Sequence, residues 1–403
     1  MAISSDRRRV LFIIGGHWIA GPVTFLRLAC ANLPSFGWEP RLLLTGPART
    51  DAFDNWPCPM SELRLCHSYS QLASEATQVI ERNDTDVVVA TDDNTTAVAM
   101  QKLYRRNLYP VRLLEMLHSD LPSELIRIER LFPVTTAVCA INNSVVEDLR
   151  RAIPALGGRI FRWYNPVPCA PQPPRPRLSS PVNLVYVGRV FQREKRVLDL
   201  VEIGKRLVAR GVDFRLTIAG DGEVMHELRA RLADNPEINR RTILTGWLLP
   251  ESIAGLLSKQ DLFLLPGDRE SMGFALLEAM GHGVVPIVTP LPGPSEVVDE
   301  KTGFTLPVGD YDAFAVAVAD AIANPERLQI MRMAAYKRVR QKFDTPIAIK
   351  AFAEILNGTL ALSLPEGRGS FRAPRPFGRM DKLGIPQCLQ FAKRRLFRQY
   401  ITA

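Results

Sequence analysis

Two acidic side chains, Glu270 and Glu278, stand eight residues apart in the stretch Glu270-Ser271-Met272-Gly273-Phe274-Ala275-Leu276-Leu277-Glu278. An apolar run, Leu262 to Leu265, precedes them, which puts Glu270 in the loop after a strand and Glu278 inside the helix that begins near Gly273. The amides of Met272, Gly273 and Phe274 at that helix start have no intrahelical acceptor, and they carry the positive end of the helix dipole. Gly273 lets an anion approach the backbone closely. Carboxylates accept hydrogen bonds from pairs of hydroxyls, so the spacing suits an elongated ligand with hydroxyls at both ends and a diphosphate between them. Taken alone, an E-x7-E spacing is what many charged surface helices show.

Upstream, Val185-Tyr186-Val187-Gly188-Arg189 reads as a strand ending in glycine and a cation, with Lys195 six residues later. Two cations at a strand end can neutralise a diphosphate and stabilise it as a leaving group, doing so without a metal bound by an Asp-x-Asp pair. Arg193 and Arg196 beside them show that cations are common here, and the place after a strand is what distinguishes Arg189 and Lys195. In the first half, His118 follows the apolar run Arg112 to Leu117, with Asp120 behind it. A histidine at a strand end often does no more than satisfy a carbonyl, and His17 is a rival.

These residues need elements to position them. Apolar runs of buried-strand character recur at Val10 to Ile14, Arg41 to Leu44, Asp86 to Ala90, Arg112 to Leu117 and Ala137 to Ile141. Helical-period segments, such as Pro22 to Leu33, Tyr69 to Arg82 and Asn143 to Arg151, lie between them. Seven prolines between Asn165 and Pro181 mark a linker. The alternation then restarts with Val182 to Val187 and runs through strands at Phe214, Thr242, Leu262 and Val285. The expected fold is α/β, with two doubly wound parallel sheets whose carboxyl strand ends border one cleft. The expected boundaries are 1–165 for the first domain, 166–181 for the linker, 182–345 for the second domain, 346–362 for a terminal helix and 363–403 for a basic tail.

With 403 residues, 46% hydrophobic and 23% charged, the chain suits two ordinary domains and excludes a small disulfide scaffold. Its six cysteines are scattered, with no CxxC pair and no cluster at metal-ligand spacing, so a reducing compartment and no metal site are expected. The Arg7-Arg8-Arg9 run before Val10 to Ile14 resembles a signal-peptide start, but Gly15, Gly16 and His17 break the apolar stretch, which favours a buried first strand. No uninterrupted apolar run reaches 18 residues, and a cytoplasmic or peripheral protein is expected. Of the formal charge of +9, the tail from Leu362 contributes +7. That distribution speaks against a nucleic-acid groove. It leaves two readings of the tail open, contact with an anionic membrane, for which Gln387 to Tyr400 is suitably amphipathic, or a solvated basic segment.

Together, Gly188-Arg189 with Lys195, Ala219-Gly220-Asp221-Gly222, Thr245-Gly246-Trp247, the Glu270 to Met280 run, Pro286, Gly293 with Glu296, and Gly303-Phe304 resemble glycosyltransferase family 4. The resemblance is dense from Val182 to Gln341 and looser before it. It implies a GT-B fold of two Rossmann-like domains and retaining, metal-independent transfer from a nucleotide-diphosphate sugar to a glycan or lipid-linked acceptor. No cofactor and no nucleic acid are implied. Carried over by position, Arg189 and Lys195 would contact the diphosphate. Glu270 and the amides near Gly273 and Phe274 would hold the sugar, and Glu278 the ribose. His118 would sit near the transferred sugar, and with Glu270 it forms the expected catalytic set. The family carries adjacent glycines after its first strand. Here Gly15-Gly16 comes early, and Gly21, opening a helix with Pro22 in its first turn, is the favoured phosphate-loop glycine. A nucleotide-sugar epimerase of the same architecture and a noncatalytic sugar-nucleotide-binding scaffold are the competing readings.

Overall fold

The structure, a computed structural model, describes residues 7–15, 21–46, 53–63, 69–91, 94–106, 110–174 and 178–365. The chain forms two compact units, one running to Trp163 and resuming at Ile349, the other spanning Tyr164–Ala348.

In chain order the first unit contains β1 (Arg8–Ile14), α1 (Gly21–Asn32), β2 (Trp38–Leu44), β3 (Met60–Glu62), α2 (Tyr69–Arg82), β4 (Val87–Thr91) and α3 (Asn94–Arg106). Then come β5 (Arg112–Leu117), α4 (Pro122–Leu131), β6 (Ala137–Ala140), α5 (Asn143–Ala152) and β7 (Ile160–Arg162). The seven strands pair in parallel in the order β3-β2-β1-β4-β5-β6-β7. Helices cover both faces, which is why β4 and β6 are buried along their whole length and read as unbroken apolar runs. The alternation of side chains along β1 divides the core. Leu11 and Ile13 join Leu72, Ala76 and Ile80 of α2 and Leu103 of α3, while Phe12 meets Phe25 of α1 on the other face. At the start of α5 the Asn142 side chain accepts the Val145 amide at 2.8 Å, a local cap that the sequence spells out.

The second unit contains β8 (Val182–Val187), α6 (Asp199–Ala209), β9 (Phe214–Ala219), α7 (Met225–Ala233), α8 (Pro236–Asn239), β10 (Thr242–Gly246), α9 (Pro250–Leu257) and β11 (Leu262–Leu265). It continues with α10 (Phe274–Gly281), β12 (Val285–Val288), α11 (Pro294–Val297), β13 (Phe304–Thr305), α12 (Tyr311–Ala323) and α13 (Pro325–Lys342). Its six strands are again parallel, in the order β10-β9-β8-β11-β12-β13. The expected pair of doubly wound sheets is therefore what forms. The short edge strands β3, β7 and β13, two or three residues each, are additions to the expected set.

The proline-rich stretch is built into the second unit. Val167 pairs with the chain at Asp344, its amide donating to the Phe343 carbonyl at 2.8 Å and its carbonyl accepting the Thr345 amide at 3.1 Å. The Ala170 amide reaches the Gly281 carbonyl, and its carbonyl accepts the Tyr336 hydroxyl at 2.9 Å. Buried Asp261 takes the Asn183 amide at 2.9 Å and the Ser179 amide at 3.3 Å, and is itself faced by the buried Arg332 guanidinium at 3.4 Å. Prolines free the segment from helix formation, and these bonds then satisfy the backbone groups that remain.

The terminal helix, α14 (Thr345–Ala361), carries the chain back to the first unit. Phe352 stacks on Phe12 at 6.3 Å between ring centroids and meets Phe25 edge-on at 5.1 Å. Asn357 accepts hydrogen bonds from the Trp38 indole at 3.1 Å and from Arg8. Gly358 faces the Phe161 ring. The helix thus completes one face of the first sheet. Phe352→Ala is expected to lower the stability of the first unit by about 3–5 kcal/mol, as read from chemical denaturation. A loss no larger than that of an exposed substitution would contradict this packing role.

Candidate functional site

In the second sheet the strand order reverses between β8 and β11. The chain leaves β8 toward β9 on one side and leaves β11 toward β12 on the other, so the loops following these neighbouring strands diverge and leave a crevice. Lys195 comes from the loop after β8 and Glu270 from the loop after β11, and they meet there. The Lys195 ammonium lies 2.9 Å from the Glu270 carboxylate and also donates to the Arg269 carbonyl at 3.2 Å. The pair is mostly covered, at 14% and 18% exposure, so it is screened far less than a surface ion pair.

The two loops are fastened along their length. The Asp268 and Arg269 amides donate to the Glu194 carbonyl at 3.1 and 3.3 Å, and a Cβ on Gly267 would lie 2.8 Å from that same oxygen. Gln192 braces the β8 loop, accepting the Leu198 amide at 3.0 Å and donating to Asp199 at 3.1 Å. Close backbone approaches fix the neighbouring loops. A Cβ on Gly220 would fall 1.8 Å from the Gly188 carbonyl oxygen, and one on Gly293 would fall 1.8 Å from that of Ser271. No side chain fits either place, which is the physical content of two of the glycines in the sequence pattern.

Arg189 is on the same loop as Lys195, with its guanidinium 3.0 Å from Glu194 and over the Phe191 ring at 4.8 Å; it is 47% exposed. Tyr186 was not singled out in the sequence. Its buried hydroxyl donates to the Arg189 carbonyl at 2.7 Å, and burial together with the nearby Glu270 charge pushes its ionisation far above the ordinary phenol range. A buried tyrosine in a strand has no sequence signature apart from the apolar run around it.

Gly273 caps α10 with φ near +80°, the left-handed region, and a Cβ there would lie 3.2 Å from the Glu270 Cγ. The turn that presents Glu270 therefore depends on glycine. The amides of the first turn, starting at Phe274, have no side-chain cap. In the otherwise apolar α10, burial raises the Glu278 carboxyl to about 7. The site thus combines a paired carboxylate and ammonium, a second cation, helix-start amides without a side-chain cap and a carboxyl whose ionisation is raised by burial.

The first unit holds the remaining candidates. His118 follows β5, its ring 5.1 Å from that of Trp163 and 6.1 Å from that of Phe25. Both ring nitrogens are buried without a hydrogen-bond partner. Burial first, and the Arg127 charge second, depress the imidazole to about 3. Arg127 is held by Glu115, fully buried on β5, at 2.7 Å and by Glu124 at 3.0 Å. The alternative role of a strand-end histidine, bonding a carbonyl, is not what His118 does here. Gly21 is the first residue of α1, the helix that supplies Phe25. Gly16 and His17 lie outside the described residues, as does the basic tail from Glu366 on. Among the described residues no helix is long and apolar enough to cross a membrane.

Comparison with known proteins points the same way. Residues 181–324 match the family model for "Glycosyl transferases group 1". The amylovoran biosynthesis glycosyltransferase AmsK of Erwinia amylovora is 30% identical over 190 residues, covering 45% of this chain and 46% of that protein. The N-acetyl-alpha-D-glucosaminyl L-malate synthase of Bacillus anthracis is 31% identical over 173 residues, covering 43% and 44%. The matched region is thus less than half the length of these curated relatives. Among solved structures, a Rickettsia africae glycosyltransferase superposes with a TM-score of 0.72 at 16% identity, over 88% of this chain and 99% of that one. Anabaena Alr3699/HepE in complex with UDP and glucose gives 0.69 at 16% identity, over 87% and 100%. The fold is accordingly of the GT-B type, two Rossmann-like parallel-sheet units, and the second unit carries the stretch that is similar to the group 1 glycosyltransferases.

Proposed function

We propose that the protein is a retaining glycosyltransferase that moves a sugar from a nucleotide-diphosphate sugar to a glycan or lipid-linked acceptor in cell-surface polysaccharide synthesis, without a metal ion. The observation that carries this reading is the Lys195–Glu270 pair, mostly covered, at the switch point of the second sheet. Donor chemistry needs both members. Lys195, joined by Arg189, balances the diphosphate charge that grows as the anomeric bond breaks, and Glu270 and the amides near Gly273 and Phe274 hold sugar hydroxyls. Glu278 holds the ribose. The first unit takes the acceptor, with Gly21 opening its phosphate-side helix. A neutral His118 serves as a hydrogen-bonding partner to the reacting sugar and not as a base, since in front-face transfer the leaving phosphate takes the acceptor proton. UDP in the Anabaena structure and the galactosyl transfer to a diphosphoundecaprenol-linked sugar named for an Escherichia coli relative support the donor and acceptor classes.

A screen of nucleotide sugars with glycan and lipid-linked acceptors is expected to give free nucleoside diphosphate, with turnover lowered about 100-fold or more in Lys195→Ala and Glu270→Ala proteins that remain folded. Product still joined to nucleotide would identify an epimerase, and unchanged turnover in both variants would refute the site.

The raised Glu278 carboxyl predicts a proton effect. Ribose hydroxyls donate to the carboxylate form, so binding a nucleoside diphosphate at pH 7 is expected to release about half a proton from the wild type beyond that released by Glu278→Gln. Calorimetry in buffers of different ionisation enthalpy measures this, and equal release from both proteins contradicts a ribose-binding role.

His118 predicts a pH effect of the opposite kind. Its folded value lies below its unfolded one, so its stabilising contribution is complete above pH 6.5 and is lost as pH falls toward 3. Between pH 7 and 4.5 the wild type is expected to lose about 2 kcal/mol that His118→Phe retains, as measured by urea denaturation at both pH values. Parallel losses would mean that the imidazole is freely protonated.

A further inference from the structure

The sequence scatters its cysteines, but the fold brings two of them together. Cys30 lies on α1, fully buried, and Cys58 lies in the segment before β3, half-buried. Their thiols are free and within hydrogen-bonding reach of each other.

Several contacts make this juxtaposition a fixed one. One turn before Cys30 on α1, the Arg27 guanidinium donates to the Asp54 carbonyl at 3.1 Å and stacks over the Trp56 ring at 4.9 Å. Phe53 packs on Trp56 at 5.1 Å between centroids. On the far side of Cys58, the Pro59 carbonyl accepts the Leu42 amide at 3.0 Å, and β3 then pairs with β2. The segment from Phe53 to Glu62 is thus clasped at both ends, by a helix and by a sheet, with Cys58 between the clasps.

The surroundings give the two sulfurs different characters. The Trp56 indole nitrogen, buried and otherwise without a partner, lies beside both sulfurs, and the Arg41 charge acts on Cys58. The contact with Cys30 is the main influence drawing the Cys58 thiol below its ordinary value, against the opposing effect of its burial, while the same contact and burial raise Cys30. Cys58 is therefore the more readily ionised of the two, and it is the one that solvent reaches.

We propose that Cys30 and Cys58 form a thiol–disulfide exchange site that reacts with small-molecule disulfides and closes to an intramolecular disulfide. The Cys58 thiolate attacks a sulfur of the small disulfide, forming a mixed disulfide and expelling one thiolate. Cys30 then gives up its proton and attacks the Cys58 sulfur, expelling the second thiolate. The protein loses two thiol hydrogens as protons and two electrons, which reduce one small disulfide to two thiols. The closed bond fastens α1, the helix that Gly21 opens, to the Phe53–Glu62 segment.

Incubating the full-length protein with oxidised glutathione, blocking the remaining thiols and mapping the peptides tests this. The expected result is a Cys30–Cys58 linked peptide, a raised melting temperature, and reversal of both by dithiothreitol. The Cys30→Ser variant is expected to stop at glutathione on Cys58, and Cys58→Ser to leave Cys30 unmodified. A bond from Cys58 to another cysteine in the wild type, no linked peptide, or glutathione on Cys30 in Cys58→Ser would overturn the proposal. The wild-type peptide map decides even if a variant fails to fold.

Discussion

The ion pair between Lys195 and Glu270 is the contact on which the candidate site of the second unit depends, because it joins the two loops that the sheet topology drives apart. In a doubly wound sheet the loops after the two strands flanking the reversal have no backbone reason to meet. Here they are held by the Lys195–Glu270 pair and by the amides that converge on the Glu194 carbonyl. The close approaches at Gly220 and Gly293 let the neighbouring loops pack against this arrangement without an intervening side chain. An ammonium already balanced by a carboxylate can remain in a largely covered crevice with no ligand present, and after Glu270 and the Arg269 carbonyl it still has one donor to offer a phosphate.

Burial is used in opposite ways at the other ionisable positions. Arg127 is kept charged among apolar neighbours because Glu115 and Glu124 supply the opposite charges and the hydrogen bonds. His118 and Glu278 have no such partners, and desolvation drives both toward their neutral forms. A neutral imidazole caged by Phe25 and Trp163 neither adds positive charge nor takes a proton at pH 7, which suits hydrogen bonding to a sugar. A carboxyl raised to about 7 gives up its proton at little cost when hydroxyls donate to its carboxylate form.

Much of this was legible in the sequence where one residue's neighbours along the chain decide its environment. Strands buried on both faces are unbroken apolar runs, and the Glu270 to Glu278 segment gained meaning from its glycine, its place after Leu262–Leu265 and its partners Arg189 and Lys195. What could not be read depends on contacts between distant segments. The return of α14 to the first sheet rests on Phe352 meeting Phe12 and Phe25, and nothing local to Phe352 encodes it. Strands as short as β13 are too brief to show a period, and the Cys30–Cys58 contact unites two elements with no spacing rule between them. The prolines between Asn165 and Pro181 exclude helix, and none forms among the described residues there, but whether such a segment is a spacer or a packed strap is decided by Asp261 and Val167, far apart in the chain.

In the proposed function the Lys195–Glu270 pair forms the floor of a diphosphate-sugar site. A crystal structure of the protein with a nucleoside diphosphate tests it most directly. The expected result is a phosphate oxygen within hydrogen-bonding distance of the Lys195 ammonium and of an amide at the start of α10, with Glu270 still beside the lysine. A diphosphate bound elsewhere, with the pair untouched, would contradict it.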